Sequence, residues 1–151
     1  MILKVGIFKE GVVEQLQTAY NPQELDLEFV DLHYLKKVDL EGSAERIRHT
    51  VTFRGILESQ IEQVCARCLE KIQSPVRAPF ELTYDAQGKE TIDTTADLRD
   101  ILLLEHPDRF LCKSGCRGIC ETCGINLNQE SCSCKKTKFQ TGKIQIKRKN
   151  K

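Results

Sequence analysis

No apolar run in this 151-residue chain approaches the ~20 residues a helix needs to cross a bilayer, so the sequence does not read as a helical membrane protein. Met1-Ile-Leu-Lys-Val-Gly is followed by neither an apolar core of signal-peptide length nor a small-residue cleavage pattern, and a reducing, cytoplasmic setting is the expectation. Also absent are a Gly-rich phosphate loop and a nucleophile motif, which removes the usual sequence marks of an enzyme. Histidine is scarce, and His33, His49 and His106 are scattered and lie far in sequence from the cysteine pairs, as ordinary surface or core histidines do. No internal repeat occurs beyond pairs of cysteines. What remains is ordinary for one globular domain with an appendage: 40% hydrophobic and 30% charged residues, on a chain long enough to bury a core without staples.

The formal net charge of +1 conceals an asymmetry. Residues 135–151 carry eight basic side chains and no acidic one; subtracting them from 23 basic and 22 acidic leaves 15 against 22, or −7, for residues 1–134. An acidic body thus ends in a basic arm. Such an arm reads either as a solvated, flexible terminus or as a nucleic-acid contact, and the charge run alone does not separate the two.

Hydrophobic periodicity outlines the body. Leu25 to Leu40 places Leu25, Leu27 and Phe29 on one parity and then shifts to Val30, Leu32 and Tyr34, the pattern of a strand with a bulge. Ile47, Val51, Phe53, Leu57 and Ile61 share one parity against Arg48, Thr50, Thr52, Arg54, Glu58 and Glu62, as in one long or two short half-buried strands. From Ile72 to Tyr84 the alternation continues, with Pro75 and Pro79 on the polar parity, which suits an edge strand. Residues 85–94 read as polar linker. Thr94 or Thr95 then caps a helix near 95–106 with core positions Leu98, Ile101 and Leu102, stopped before Pro107. The expected fold class is α+β: an antiparallel β-rich body over 1–111 with one short helix, a Cys-rich, zinc-ribbon-like lobe over 112–134 packed on it, and a basic, flexible tail over 135–151.

The eight cysteines fall into close pairs: Cys65 with Cys68, Cys112 with Cys116, Cys120 with Cys123, and Cys132 with Cys134. Zinc takes four tetrahedral thiolate or imidazole ligands, so four pairs can build two sites. Gly124 follows Cys123 where a tight knuckle asks for positive φ. A disulfide framework conflicts with the missing secretory signal and the adequate core. A redox Cys-x-x-Cys wants a helix N-terminus, whereas Cys65 and Cys68 stand between two strand-like stretches. Iron competes most seriously, since similar knuckles hold a single iron, although the three-cysteine run of bacterial ferredoxins is missing. Loop-closure entropy favours Cys120, Cys123, Cys132 and Cys134 as one site, leaving Cys65, Cys68, Cys112 and Cys116 as a second, weaker or empty one. The cofactor expected is zinc.

The order Cys65-Ala-Arg-Cys68-Leu69 after an alternating strand, Asp97-Leu98 opening a helix, Leu111-Cys112, Cys116-Arg-Gly-Ile-Cys120-Glu-Thr-Cys123-Gly-Ile-Asn-Leu-Asn128 and Cys132-x-Cys134 resembles the YceD family of bacterial and plastid proteins over about residues 40 to 134. The resemblance implies a role in accumulating large-subunit ribosomal RNA and in ribosome assembly. Family members often continue past the last Cys-x-Cys into an Asp-Pro-Arg segment and a short helix, where this chain runs Lys135-Lys-Thr-Lys-Phe-Gln-Thr-Gly. Some relatives also lack most of the C-terminal cysteines, which implies that the metal lobe supports structure. Two classes of function follow. One is a non-catalytic assembly factor whose partner is ribosomal RNA, a large-subunit ribosomal protein or an assembly particle, with no membrane and no small-molecule substrate. The other is a metal-dependent enzyme or one-iron redox protein. Closed four-cysteine sites leave no open position for a catalytic water and favour the first.

Overall fold

In the computed structural model, which describes residues 1–30, 32–106 and 109–134, the alternating stretches from Val38 onward pair with one another as an antiparallel sheet. Its strands are β2 (Val13–Tyr20), β3 (Leu32–Tyr34), β4 (Val38–Ile47), β5 (Thr50–Val64) and β6 (Lys71–Asp85). The long strand β5 is central. On one side it pairs with β4 along residues 50–58 and with β3 at residues 61–63; on the other it pairs with β6 over its whole length. β2 pairs with β4, and among the described residues β6 is an edge, where Pro75 and Pro79 withhold no ladder hydrogen bond that the sheet requires. A separate two-stranded sheet joins β1 (Ile2–Lys4) to β7 (Thr91–Asp93), and α1, the one α-helix among the described residues, spans Thr95–Leu104. The architecture is therefore antiparallel strands with one helix, followed by a cysteine-rich segment.

One face of the large sheet is covered. Val38, Leu40, Val51, Phe53, Leu57 and Ala78 are fully buried beneath Leu25, Leu27, Leu98 and Leu102. Burying side chains of this kind contributes about 1.5–3 kcal/mol each. Gly42 and Gly55 face each other across β4 and β5 on this covered side. A Cβ on Gly42 would meet Phe53 at 3.3 Å, and one on Gly55 would meet Phe80 at 3.1 Å. The two phenyl rings pack edge to face, with centroids 4.8 Å apart, over the space the glycines leave.

Several sequence expectations are corrected. Leu25 to Leu40 is not a bulged strand. Pro22–Leu25 forms a 3-10 turn, Leu27 is buried from a loop, and only Leu32–Tyr34 and the start of β4 are extended. The register shift that looked like a bulge marks the passage from turn to strand. Ile47, assigned to the apolar face, is 56% exposed because it closes the hairpin opposite Thr50, where Arg48 takes φ 56°. The linker 85–94 contains β7. Strands β1 and β2 went unread: β1 has three residues, and the half-buried face of β2 consists of Glu14, Leu16, Thr18 and Tyr20, too polar to register as alternation.

Thr94 precedes the helix as expected, but its hydroxyl donates to the Met1 carbonyl, and Asp93 instead accepts the Thr95 amide at 2.9 Å. The helix ends at Leu104, two residues short of the expected 106; Pro107 and the tail 135–151 lie outside the described residues. Among the described residues no helix is long and apolar enough to span a membrane.

Candidate metal centre

The connection from β5 to β6 carries the first cysteine pair. Leu69 donates its amide to the Cys65 carbonyl at 3.0 Å and Cys65 donates to the Glu70 carbonyl at 2.9 Å, which closes a tight turn with both thiols on its inside. The C-terminal segment repeats the construction. Gly124 donates to the Cys120 carbonyl at 2.9 Å and Cys120 to the Ile125 carbonyl at 2.8 Å. In each knuckle the residue after the second cysteine is left-handed, Leu69 at φ 60° and Gly124 at φ 74°. Glycine takes that conformation freely, whereas leucine is strained there by roughly 1–2 kcal/mol. Because the Leu69 side chain is 61% exposed, Leu69→Gly sacrifices little burial. The thermal midpoint of the variant is expected to stay level or rise; a fall of several degrees in a melting curve would contradict this strain.

The remaining pairs meet these two knuckles. Cys65, Cys68, Cys112 and Cys116 bring their Sγ atoms within 4.8 Å of one another, and Cys120, Cys123, Cys132 and Cys134 do the same. The Sγ–Sγ separations are 3.8 Å for Cys65 to Cys116, 3.6 Å for Cys68 to Cys112 and 3.4 Å for Cys120 to Cys132. A tetrahedron with metal–sulfur bonds of about 2.3 Å has edges of about 3.8 Å, so one ion fits each quartet. A multi-iron cluster, whose thiolates bind different iron atoms, would hold them further apart. All eight cysteines are free. Both quartets could hold a metal ion.

Charge at the quartets is unevenly distributed. Burial works against ionising Cys65, but the amides of Cys68, Cys112 and Arg67 outweigh it and lower the thiol to about 6. The Cys123 and Thr122 amides lower Cys120 to about 6 in the same way. Cys68 is pushed up to about 12 although the Glu70 amide favours its thiolate, because burial and the neighbouring Cys65, Cys112 and Cys116 oppose a further negative charge. Cys134 is raised to about 12, first by Cys123 and then by burial. Four thiolates this close cannot all ionise without a cation among them, and a divalent ion supplies that charge.

Burial separates the two quartets. Cys65, Cys68 and Cys116 are buried and Cys112 half-buried; in the other quartet Cys123 is exposed and the rest are half-buried. The long-range quartet, expected from loop closure to be the weaker, is the better shielded, because the strands of the body have already positioned the Cys65 knuckle. Its second half is tied down by Ala66 donating to the Phe110 carbonyl at 2.9 Å, the Cys112 amide reaching Cys65 Sγ at 3.4 Å, and Arg67 Nη1 reaching the Cys116 carbonyl at 3.1 Å. Past Cys116, the Ile119 amide donates to the Arg67 carbonyl at 3.1 Å, so the second quartet hangs from the first.

Sequence reading missed Asn128. Its Nδ2 donates to Cys116 Sγ at 3.3 Å and its Oδ1 accepts the Arg117 amide at 2.8 Å. The signal was Asn126-Leu-Asn128, in which the Asn126 side chain accepts the Asn128 amide and fixes the turn. His33 and His49 are exposed, and His106 Nε2 lies 2.7 Å from the Tyr34 hydroxyl, so among the described residues no histidine joins either quartet.

The family described as "Large ribosomal RNA subunit accumulation protein YceD" matches residues 85–142, in keeping with the resemblance read from the cysteine motifs. An uncharacterized protein of Mycobacterium tuberculosis is 26% identical over 145 residues, covering 85% of this chain and 70% of its own length. A chloroplastic YCED homolog 1 of Arabidopsis thaliana, named for large ribosomal RNA subunit accumulation, is 39% identical over 54 residues, covering 36% of this chain and 16% of its own. Its Zea mays counterpart is 42% identical over 60 residues, covering 39% and 20%. No solved structure matches this chain.

Proposed function

We propose, with the YceD-family match over residues 85–142 as premise, that this chain is a non-catalytic factor supporting the accumulation of large-subunit ribosomal RNA, held in shape by two structural zinc ions. The match is the observation that carries the reading, and relatives named for that role add to it. The body 1–111 supplies one knuckle and the lobe 112–134 the remaining ligands. In the first site Cys65, Cys68, Cys112 and Cys116 hold one ion; in the second, Cys120, Cys123, Cys132 and Cys134 hold the other. Zinc suits an all-thiolate tetrahedron, and four sulfur ligands leave no position for the water a hydrolytic site requires. The partner is ribosomal RNA, a large-subunit ribosomal protein or an assembly particle in the cytoplasm.

Depletion in cells tests the role. Large-subunit ribosomal RNA should fall relative to small-subunit RNA and recover when the intact chain is restored. An unchanged ratio after depletion would overturn the reading.

A further inference from the structure

We propose that the groove between β1, the β4–β5 turn and the β6–β7 loop is a docking surface for the phosphodiester backbone of RNA, an inference that rests on the assembly role just proposed. With residues 1–134 at net −7, phosphate is repelled on average, and contact requires that charge be segregated over the surface. The structure segregates it. The uncovered sheet face carries six acids, Asp39, Glu41, Glu45, Glu58, Glu62 and Glu81, against Arg54, Arg77 and Lys71, of which Arg77 and Lys71 are already paired with Glu58 and Glu62. A basic ribosomal protein would choose that face.

The groove is the opposite case. It encloses about 700 Å³ and is lined by Lys4, Arg46, His49 and Lys89 against the single acid Glu90. Among the described residues, none of Lys4, Arg46 and Lys89 forms an ion pair. Arg46 Nε donates to the Arg48 carbonyl at 3.1 Å, which holds one guanidinium in place at the hairpin turn. A Cβ added to Gly6 or Gly88 would meet nothing within 4 Å, so the rim is open to a strand laid along it. Ile7, 62% exposed beside these cations, offers an apolar surface for a base.

The test uses the full chain, a labelled fragment of large-subunit ribosomal RNA and a salt series. Lys4→Glu with Lys89→Glu should weaken binding about tenfold or more at low salt, and should reduce the slope of log affinity against log salt by about 1.4, the contribution of two single-strand phosphate contacts. Lys36→Glu with Lys37→Glu imposes the same change in net charge at the far end of β4 and should leave affinity within about threefold. Melting curves of both variants should overlay the parent. Equal weakening by the two pairs, no weakening by the groove pair, or no salt-dependent RNA binding by the parent would each overturn the groove. A fall in large-subunit ribosomal RNA on depletion alongside any of these would leave the accumulation role standing through a protein partner.

Discussion

Cys65→Ser is expected to remove one of two zinc ions and to release everything beyond Phe110 from the body, an effect of more than about 4 kcal/mol on the structure of the lobe. Cys65 is fully buried, and its sulfur accepts the Cys112 amide while its neighbour Ala66 donates to Phe110, so the quartet joins the β5–β6 connection to the C-terminal segment. Segment 112–134 has no strand or helix of its own and only one isolated bridge, Ile119 to Asn126. Without the first ion only the second quartet is left to organise it, and nothing ties that quartet to the body but the Ile119–Arg67 hydrogen bond. Cys123→Ser is the informative contrast: Cys123 is exposed and its quartet closes only residues 120–134, so the second ion should be lost while the first and the body remain. Hydrogen exchange followed by mass spectrometry separates the two. Protection should disappear from 110–119 in Cys65→Ser, where 120–134 keeps its own ion, and from 120–134 in Cys123→Ser; identical exchange maps would contradict this division.

Gly55→Ala should destabilise the body by about 3 kcal/mol, near the upper end of overpacking costs. The added methyl would fall 2.7 Å from Gly42 Cα and closer still to the Glu41 carbonyl, both backbone atoms of the paired strand. Neither can move without opening the β4–β5 ladder, and the Phe80 ring, 3.1 Å away, stands in the other direction. Gly6→Ala, where the methyl enters open space, should stay within about 0.5 kcal/mol. Urea denaturation of both variants measures the difference, and equal midpoints would show that the glycine pair is not required.

Sequence alone revealed those parts of the molecule whose burial is periodic. From Val51 to Tyr84 the sheet buries one parity, and the alternation of Val51, Phe53, Leu57, Val76, Ala78 and Phe80 reports it directly. The helix was visible through Leu98 and Leu102. What escaped was burial without a period. Leu25 and Leu27 cap the core from a 3-10 turn and a loop, and β1 and β7 are three residues each, below the length at which alternation can be recognised. The Gly42–Gly55 contact was hidden because its cause lies on the partner strand.

The cysteines were legible as pairs by spacing, and the grouping into quartets agrees with loop-closure reasoning. Their burial was not legible. It depends on the body presenting the Cys65 knuckle ready-made, which loop-closure entropy does not count. The left-handed Leu69 was likewise invisible, since only comparison with Gly124 in the twin knuckle exposes it.

The account is tested most directly by the metal content of the full chain purified without added metal and without oxygen, read by elemental mass spectrometry together with the visible spectrum. It requires two zinc ions per chain and a colourless protein, falling to one ion in Cys123→Ser. Iron with visible thiolate charge-transfer bands, or a fully folded protein with no metal, would contradict it.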